Sequence, residues 1–152
     1  MRRIVIIGRG GAGKSTLARA LGAANGLPVV ELDRLFWGAD LAPTPADEWA
    51  AIQAGLADRP QWIMDGDLGP YDVLDVRLAR ADTVVFLDFG LPRCAWRALR
   101  RSRENRDFWR WLITYRSRER PRLLTAIRTH APNAALYLLR NPRAVARFLD
   151  QG

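Results

Sequence analysis

The stretch Gly8-Arg9-Gly10-Gly11-Ala12-Gly13-Lys14-Ser15 decides how the rest of the sequence is interpreted. It fits the pattern G-x-x-x-x-G-K-[ST] without a gap. The β-branched run from Arg3 to Ile7 predicts a short strand before it, and the residues through Ala24 predict a helix after it. This motif requires a strand, a glycine-rich loop and a helix in that order, so we interpret the stretch as a phosphate-binding (Walker A) loop.

The residue types of this loop suit a nucleoside triphosphate. Glycines let the backbone N–H groups turn toward the β-phosphate, and the start of the helix adds the positive end of its dipole. Lys14 is predicted to bridge the β- and γ-phosphates of ATP as a catalytic residue, and Ser15 to ligate Mg²⁺. The predicted nucleotide-binding residues are Gly8, Gly10, Gly11, Ala12, Gly13, Lys14, Ser15 and Thr16.

Lys14 is the only lysine, because 23 of the 24 basic residues are arginine. A compact ammonium fits a phosphate loop where a broad, planar guanidinium does not. An Arg-biased sequence that keeps one lysine at this position therefore supports the motif.

Length and composition indicate one soluble domain, residues 1–152, with a formal net charge of +8. The charge is uneven: residues 1–92 hold 9 basic and 12 acidic side chains, whereas residues 93–152 hold 15 and 4. A single cysteine, Cys94, excludes an internal disulfide and favours a reducing cytoplasm. No apolar run reaches the roughly 20 residues that span a bilayer, so we expect no membrane partner.

Four more strands are predicted, at 28–32, 61–64, 83–87 and 134–139, and the 83–87 strand is apolar throughout. They alternate with predicted helices. One of these begins near Pro45, and the others cover 72–81, 92–106, 108–129 and 142–149. This alternation predicts a three-layer α/β/α fold around a parallel sheet.

Three aspartates follow predicted strands: Asp33, Asp65 and Asp88. Parallel sheets bind ligands beyond the carboxyl ends of their strands, so these side chains are expected near the phosphate loop. Asp65 is the preferred Mg²⁺ ligand, with Asp88 as the alternative. Asp33 is the candidate for the catalytic base or a substrate contact.

The sequence resembles the P-loop kinases related to adenylate and shikimate kinase, most closely the small bacterial DNA topology modulation proteins. The resemblance covers nearly the whole chain, and its most distinguishing segment is Leu32-Asp33-Arg34-Leu35-Phe36-Trp37. It implies a five-stranded sheet of order 2-3-1-4-5, a substrate region after the second strand, an Arg-rich lid near 97–120, and transfer of the ATP γ-phosphoryl group. The other matching stretches are 4–16, 62–66, 81–88, 116–123 and 139–149.

Two departures from this family concern the acceptor region and the lid. The family usually has Asp-Gly-Asn-Tyr where this chain has Asp65-Gly66-Asp67-Leu68-Gly69-Pro70-Tyr71, and seven residues separate Arg101 from Trp109, fewer than the family implies. A short lid excludes water less completely, which favours some ATP hydrolysis. The predicted acceptor-binding residues are Asp33, Trp37, Asp65 and Gly66, with Trp37 placed to stack on a planar ring.

Arginines that close over the γ-phosphate accelerate phosphoryl transfer by roughly 10³ to 10⁵ where this has been measured. Arg97 and Arg101 lie one turn apart on a predicted helix. Arg116 and Arg120 occupy the segment where the related kinases place phosphate-gripping arginines. These four are the predicted catalytic arginines.

Two functions remain open. The first is an ATP- and Mg²⁺-dependent kinase of a small-molecule acceptor, either a nucleoside, a nucleotide or another small molecule, acting as a monomer or weak homodimer. The second is a nucleotide-binding regulator or ATPase that contacts DNA through the basic half. The absence of a DNA-reading motif favours the kinase.

Overall fold

A computed structural model describes residues 1–37, 42–101, 109–110, 113–115 and 117–151, without the side chains of Pro70, Arg97, Ala98, Arg100, Arg101 and Gln151. The strands are β1 (Arg3–Gly8), β2 (Val29–Glu31), β3 (Trp62–Asp65), β4 (Thr83–Leu87) and β5 (Ala135–Leu139). The helices are α1 (Lys14–Asn25), α2 (Leu32–Phe36), α3 (Ala46–Ala57), α4 (Leu74–Leu78), α5 (Leu91–Arg101), α6 (Glu119–His130) and α7 (Pro142–Gln151).

The five strands form one parallel sheet in the order β2-β3-β1-β4-β5, which confirms the predicted fold. β1 lies at the centre, with Ile6 opposite Asp65 of β3 and Val85 of β4. The strand order reverses at β1, and this reversal opens a crevice at the carboxyl end of β1. The phosphate loop begins at that end.

The apolar strand residues explain why both faces of the sheet are covered. Val5 and Ile7 point into a cluster that contains Trp49 of α3, whereas Ile4 and Ile6 point into a cluster with α1 and α7. All four side chains are fully buried. β4 is likewise buried along its whole length, as its continuous apolar run predicts. Within the described residues, no helix is both long enough and apolar enough to cross a membrane.

Asp33 lies in a helix rather than in a loop after a strand. β2 ends at Glu31 and α2 begins at once, because Leu32 and Phe36, four residues apart, are both buried against the sheet. The prediction of a strand through residue 32 was therefore wrong at its end. Asp33 consequently occupies the first turn of α2.

Two predicted helices differ from the structure. The helix expected at 72–81 shrinks to α4, after a short 3₁₀ turn at Gly69–Tyr71. The helix expected at 108–129 is interrupted by a turn, and α6 begins only at Glu119. Pro121 explains this break, because proline lacks an N–H and fits only the first turn of a helix.

Candidate active site

The phosphate loop connects the buried end of β1 to the first residue of α1. Gly8, Gly11 and Gly13 have φ values of +147°, +75° and +96°, which glycine tolerates and other residues rarely adopt. A Cβ on Gly8 would lie 2.6 Å from the Leu87 carbonyl oxygen, so the loop passes directly against β4. Lys14 Nζ donates a hydrogen bond to the Gly8 carbonyl oxygen at 2.9 Å. The lysine thus folds back over the loop that it terminates.

The start of α1 leaves backbone donors directed at the loop. Gly13 precedes the helix and has no side chain to cap it, and there is no acidic residue in its first turn. The first N–H groups of a helix have no partner within the helix and favour an anion. The loop therefore combines free donors, a helix dipole and an ammonium group.

Three carboxylates lie within the electrostatic influence of Lys14: Asp33, Asp65 and Asp67. Burial raises the pKa of each of them, and the charge of Lys14 opposes that rise in all three. Asp33 is an exposed residue, yet the surrounding protein still desolvates its carboxylate. This end of the crevice therefore holds carboxyl groups that accept protons more readily than ordinary aspartates.

Asp65 and Ser15 fit a magnesium site. Asp65 is the last residue of β3 and is 3% exposed, and its Oδ1 is buried with no hydrogen-bond partner among the described residues. Burial raises the pKa of Asp65, and the nearby Ser15 hydroxyl offsets part of that rise. A hydroxyl beside an unsatisfied carboxylate oxygen is the oxygen donor set that Mg²⁺ accepts when phosphates supply further ligands. The described residues contain no cluster of three or more His, Cys, Asp or Glu side chains that could hold a metal unaided.

Asp67 is a site residue that the sequence did not single out as functional. Its Oδ1 accepts the Gly69 N–H at 3.1 Å, and its Oδ2 is buried with no hydrogen-bond donor in the described part of the chain. The Asp-Gly-Asp departure from the family pattern was the available signal. An unsatisfied carboxyl oxygen near Lys14 suits a hydroxyl or amino group of a ligand.

Arg77 holds the loop after β3 in place, and the sequence pattern did not single it out either. The side chain is fully buried, and its Nη2 donates to the Gly66 carbonyl oxygen at 2.9 Å. Its Nη1 donates to Asp72 at 2.6 Å and to Gln53 at 2.9 Å. Burial alone would raise the pKa of Asp72, but the charge and hydrogen bonds of Arg77 outweigh it and hold that pKa below its usual value. These partners lie up to 24 residues away, so no local pattern indicates the network.

Gly66 and Trp37 line the predicted acceptor region. Gly66 has a φ of +146°, and a Cβ there would lie 3.0 Å from the Leu32 Cβ, so α2 packs closely on this loop. Trp37 is 41% exposed and its ring meets Phe36 edge-on at 4.9 Å. An exposed indole beside α2 is available to a planar ligand, and its role stays a prediction.

Of the predicted catalytic arginines, Arg120 has a described side chain. Its Nε donates to both carboxylate oxygens of Asp88 at 3.0 Å, and its Nη2 lies 3.0 Å from Oδ2. Both Asp88 oxygens are thus engaged, which favours Asp65 over Asp88 as the metal ligand. Arg97 and Arg101 belong to α5, but their side chains lie outside the description, as does Arg116 entirely.

An apolar cavity of about 150 Å³ adjoins the loop on the α1 side. The cavity is lined by Leu17 of α1, Leu87 at the end of β4, Phe89 after β4, Arg93 of α5 and Val145 of α7. Its apolar lining next to Ala12 and Gly13 of the loop suits a flat apolar group.

No protein-family model matches the sequence, and no curated protein matches it either. Solved structures do share the fold. A shikimate kinase from Acinetobacter baumannii in complex with shikimate has a TM-score of 0.71 at 15% identity, covering 99% of this chain and 90% of that one. A sugar kinase from Janibacter sp. has a TM-score of 0.60 at 20% identity, covering 99% and 93%.

A deoxyadenosine kinase from M. mycoides with bound dATP has a TM-score of 0.55 at 12% identity, covering 99% of this chain and 98% of that one. The described part of the chain therefore has the α/β fold of P-loop kinases. Sequence identities this low establish the fold alone, and the activity depends on the residues of the site.

Proposed function

We propose that the protein is an ATP-dependent phosphotransferase that moves the γ-phosphoryl group of ATP to a hydroxyl group of a small molecule. The observation that carries this proposal is the closed phosphate loop, in which Lys14 donates to Gly8 at 2.9 Å beside three carboxylates of raised pKa. A loop for triphosphate and a base for a hydroxyl are the two requirements of phosphoryl transfer.

The nucleotide lies along the loop in this proposal. The backbone N–H groups of Gly10–Gly13 and of the first turn of α1, through Thr16, bind the phosphates, with Gly8 allowing the close approach. Lys14 exchanges its Gly8 partner for phosphate oxygens. The adenine base of the nucleotide enters the apolar cavity beside Leu17 and Phe89.

Ser15 and Asp65 hold Mg²⁺ in this proposal, because the Asp65 Oδ1 is the buried oxygen that lacks a donor. The bound ion would neutralise charge on the phosphate oxygens. Asp65 also places its charge close enough to Lys14 for the two groups to attract each other.

The acceptor lies between α2 and the loop after β3. Asp33 accepts the proton of the acceptor hydroxyl as its oxygen bonds to the γ-phosphorus and the bond to the β-phosphate oxygen breaks. Asp65, Asp67, Gly66 and Trp37 shape the remaining contacts. The charge on the transferred group is neutralised by four arginines: Arg97, Arg101, Arg116 and Arg120.

The DNA-contacting regulator is the second candidate, and the observation that favours it is a set of exposed arginines on the second half. Arg122 of α6 and Arg140 after β5 have side chains 57% and 67% exposed. Their field would also attract nucleotides, so DNA affinity must be measured separately. Binding that weakens steeply with salt, without phosphoryl transfer, would favour this candidate.

A ligand screen followed by a turnover assay tests the proposal. Purified protein is screened by thermal shift against nucleosides, nucleotides, sugars and small hydroxy acids, with Mg²⁺ and a non-hydrolysable ATP analogue. Compounds that raise the melting temperature are then tested with ATP for ADP release and a phosphorylated product. Release of ADP without any phosphorylated acceptor would reduce the protein to an ATPase and contradict the proposal.

A further inference from the structure

Arg9, the first variable residue of the phosphate loop, is a buried arginine with an aromatic partner. It is 2% exposed, and its guanidinium carbon lies 5.1 Å from the centroid of the Tyr115 ring. Its Nε and Nη1 are buried and have no hydrogen-bond acceptor among the described residues. A buried cation without a carboxylate partner is costly, and an aromatic face offsets part of that cost. Among the described residues, the Tyr115 ring is therefore a contact that helps to retain Arg9 in place.

Tyr115 in turn fixes the start of α6. The residue is 2% exposed, and its carbonyl oxygen accepts the N–H groups of Glu119 at 3.0 Å and of Arg120 at 2.9 Å. These two hydrogen bonds set the first turn of the helix that carries the Arg120 side chain. The position of Arg120 thus depends on where the Tyr115 ring packs.

These contacts and the pairing of β1 with β4 form a closed circuit at the carboxyl end of β1. Arg120 binds Asp88, which follows β4, and the last residue of β4, Leu87, pairs with Gly8, the residue before Arg9. The loop that binds phosphate and the helix that carries Arg120 are therefore joined by two routes. One route is the sheet with Asp88, and the other is the stack of Arg9 on Tyr115.

We propose that Arg9 is a positioning residue that holds Arg120 at the phosphate end of the site through Tyr115. The inference rests on the proposed function. Arg9 acts here without touching the nucleotide, because its guanidinium is packed on Tyr115. Loss of the stack would free the first turn of α6 and misplace Arg120 during transfer, while ATP still binds to the loop amides and Lys14. The turnover number should fall, and the KM for ATP should not rise.

Steady-state kinetics on matched variants test this inference. Arg9→Met and Tyr115→Leu remove the stack, and we expect kcat to fall by about tenfold or more with the KM for ATP within about twofold. Tyr115→Phe keeps the ring and should retain kcat within about threefold. Arg80→Met, which breaks an exposed pair with Asp58, is the control for arginine removal.

A double-mutant cycle identifies the route. In an Arg120→Ala background, Arg9→Met should produce no further loss of kcat, because both changes disable the same group. An equal loss in that background, or a rise in the KM for ATP at unchanged kcat, would overturn the inference. Tyr115→Leu provides the same comparison without altering the loop, should Arg9→Met fail to fold.

Hydrogen–deuterium exchange separates this inference from the proposed function. We expect Arg9→Met to speed exchange in a peptide covering residues 115–123, where Tyr115 accepts the Glu119 and Arg120 amides, and to leave the β4 peptide unchanged. Unaltered exchange at 115–123 would refute the positioning role even if the wild type transferred no phosphate. A wild-type protein without transfer activity but with the expected exchange would refute the proposed function alone.

Discussion

Replacing Gly8 by alanine should be one of the most damaging single-methyl additions in the protein. The new Cβ would lie 2.6 Å from the Leu87 carbonyl oxygen and 3.0 Å from the Leu87 Cβ, at a φ of +147°. Strained backbone at a non-glycine residue costs about 1–3 kcal/mol. Overpacking against a rigid strand costs about another 1–3 kcal/mol. We therefore expect Gly8→Ala to lower the free energy of unfolding by about 2–6 kcal/mol.

Two other glycines separate the contribution of backbone strain from the contribution of overpacking. Gly26 has a φ of +64°, and among the described residues nothing would crowd a Cβ there, so Gly26→Ala should cost roughly 1–2 kcal/mol from the backbone alone. Gly55 lies within α3, and a Cβ there would meet no atom of another described element within 4 Å, so Gly55→Ala should stabilise the protein by about 0.5–1 kcal/mol.

Urea unfolding followed by tryptophan fluorescence measures all three, because Trp49 and Trp62 are fully buried. The expected order of stability is Gly55→Ala, wild type, Gly26→Ala and Gly8→Ala. If Gly8→Ala proved as stable as Gly26→Ala, the close approach of the loop to β4 would be refuted. ATP-analogue affinity of any folded Gly8→Ala protein should also fall, because the loop must shift.

Three further predictions concern charged groups. Arg77→Met should cost about 3–5 kcal/mol in urea unfolding by leaving Asp72 buried and unpaired, whereas exposed Arg80→Met should stay within about 0.5 kcal/mol. The pKa of Asp72 is lowered, so the ionised carboxylate stabilises the fold above pH 3.8, and this contribution is lost as the pH falls through the pKa of the folded state. The free energies of unfolding of the wild type and Asp72→Asn should therefore converge below that folded-state pKa. If Asp33 is the catalytic base, its raised pKa places the acid limb of the pH profile of kcat above pH 3.8. Asp33→Asn should lower kcat about 10²- to 10⁴-fold and remove that limb. An acid limb that is unchanged in Asp33→Asn would assign the titration to another group.

The fold was predictable because its signals are local. The run from Ile4 to Ile7 and the apolar stretch at 83–87 both indicate buried parallel strands, and the loop between β1 and α1 follows from its glycines and Lys14. The strand order came from the family resemblance, and the sheet confirms it.

The arrangement around the loop was less predictable because it depends on distant partners. Arg77 is one of several arginines in the sequence, and its burial depends on Gln53, Asp72 and the Gly66 carbonyl. The pairing of Arg120 with Asp88 spans 32 residues and cannot be inferred from helical spacing. The functional roles of both groups stay predictions.

Phosphorus NMR of the reaction is the most direct test of the central claim. Wild-type protein, ATP, Mg²⁺ and an acceptor from the thermal-shift screen should give a new phosphomonoester resonance that grows at the same rate as ADP. Lys14→Ala should give neither signal, because the loop then lacks the ammonium that bridges the phosphates. Inorganic phosphate in place of the phosphomonoester, or equal turnover by Lys14→Ala, would contradict a phosphate-loop kinase.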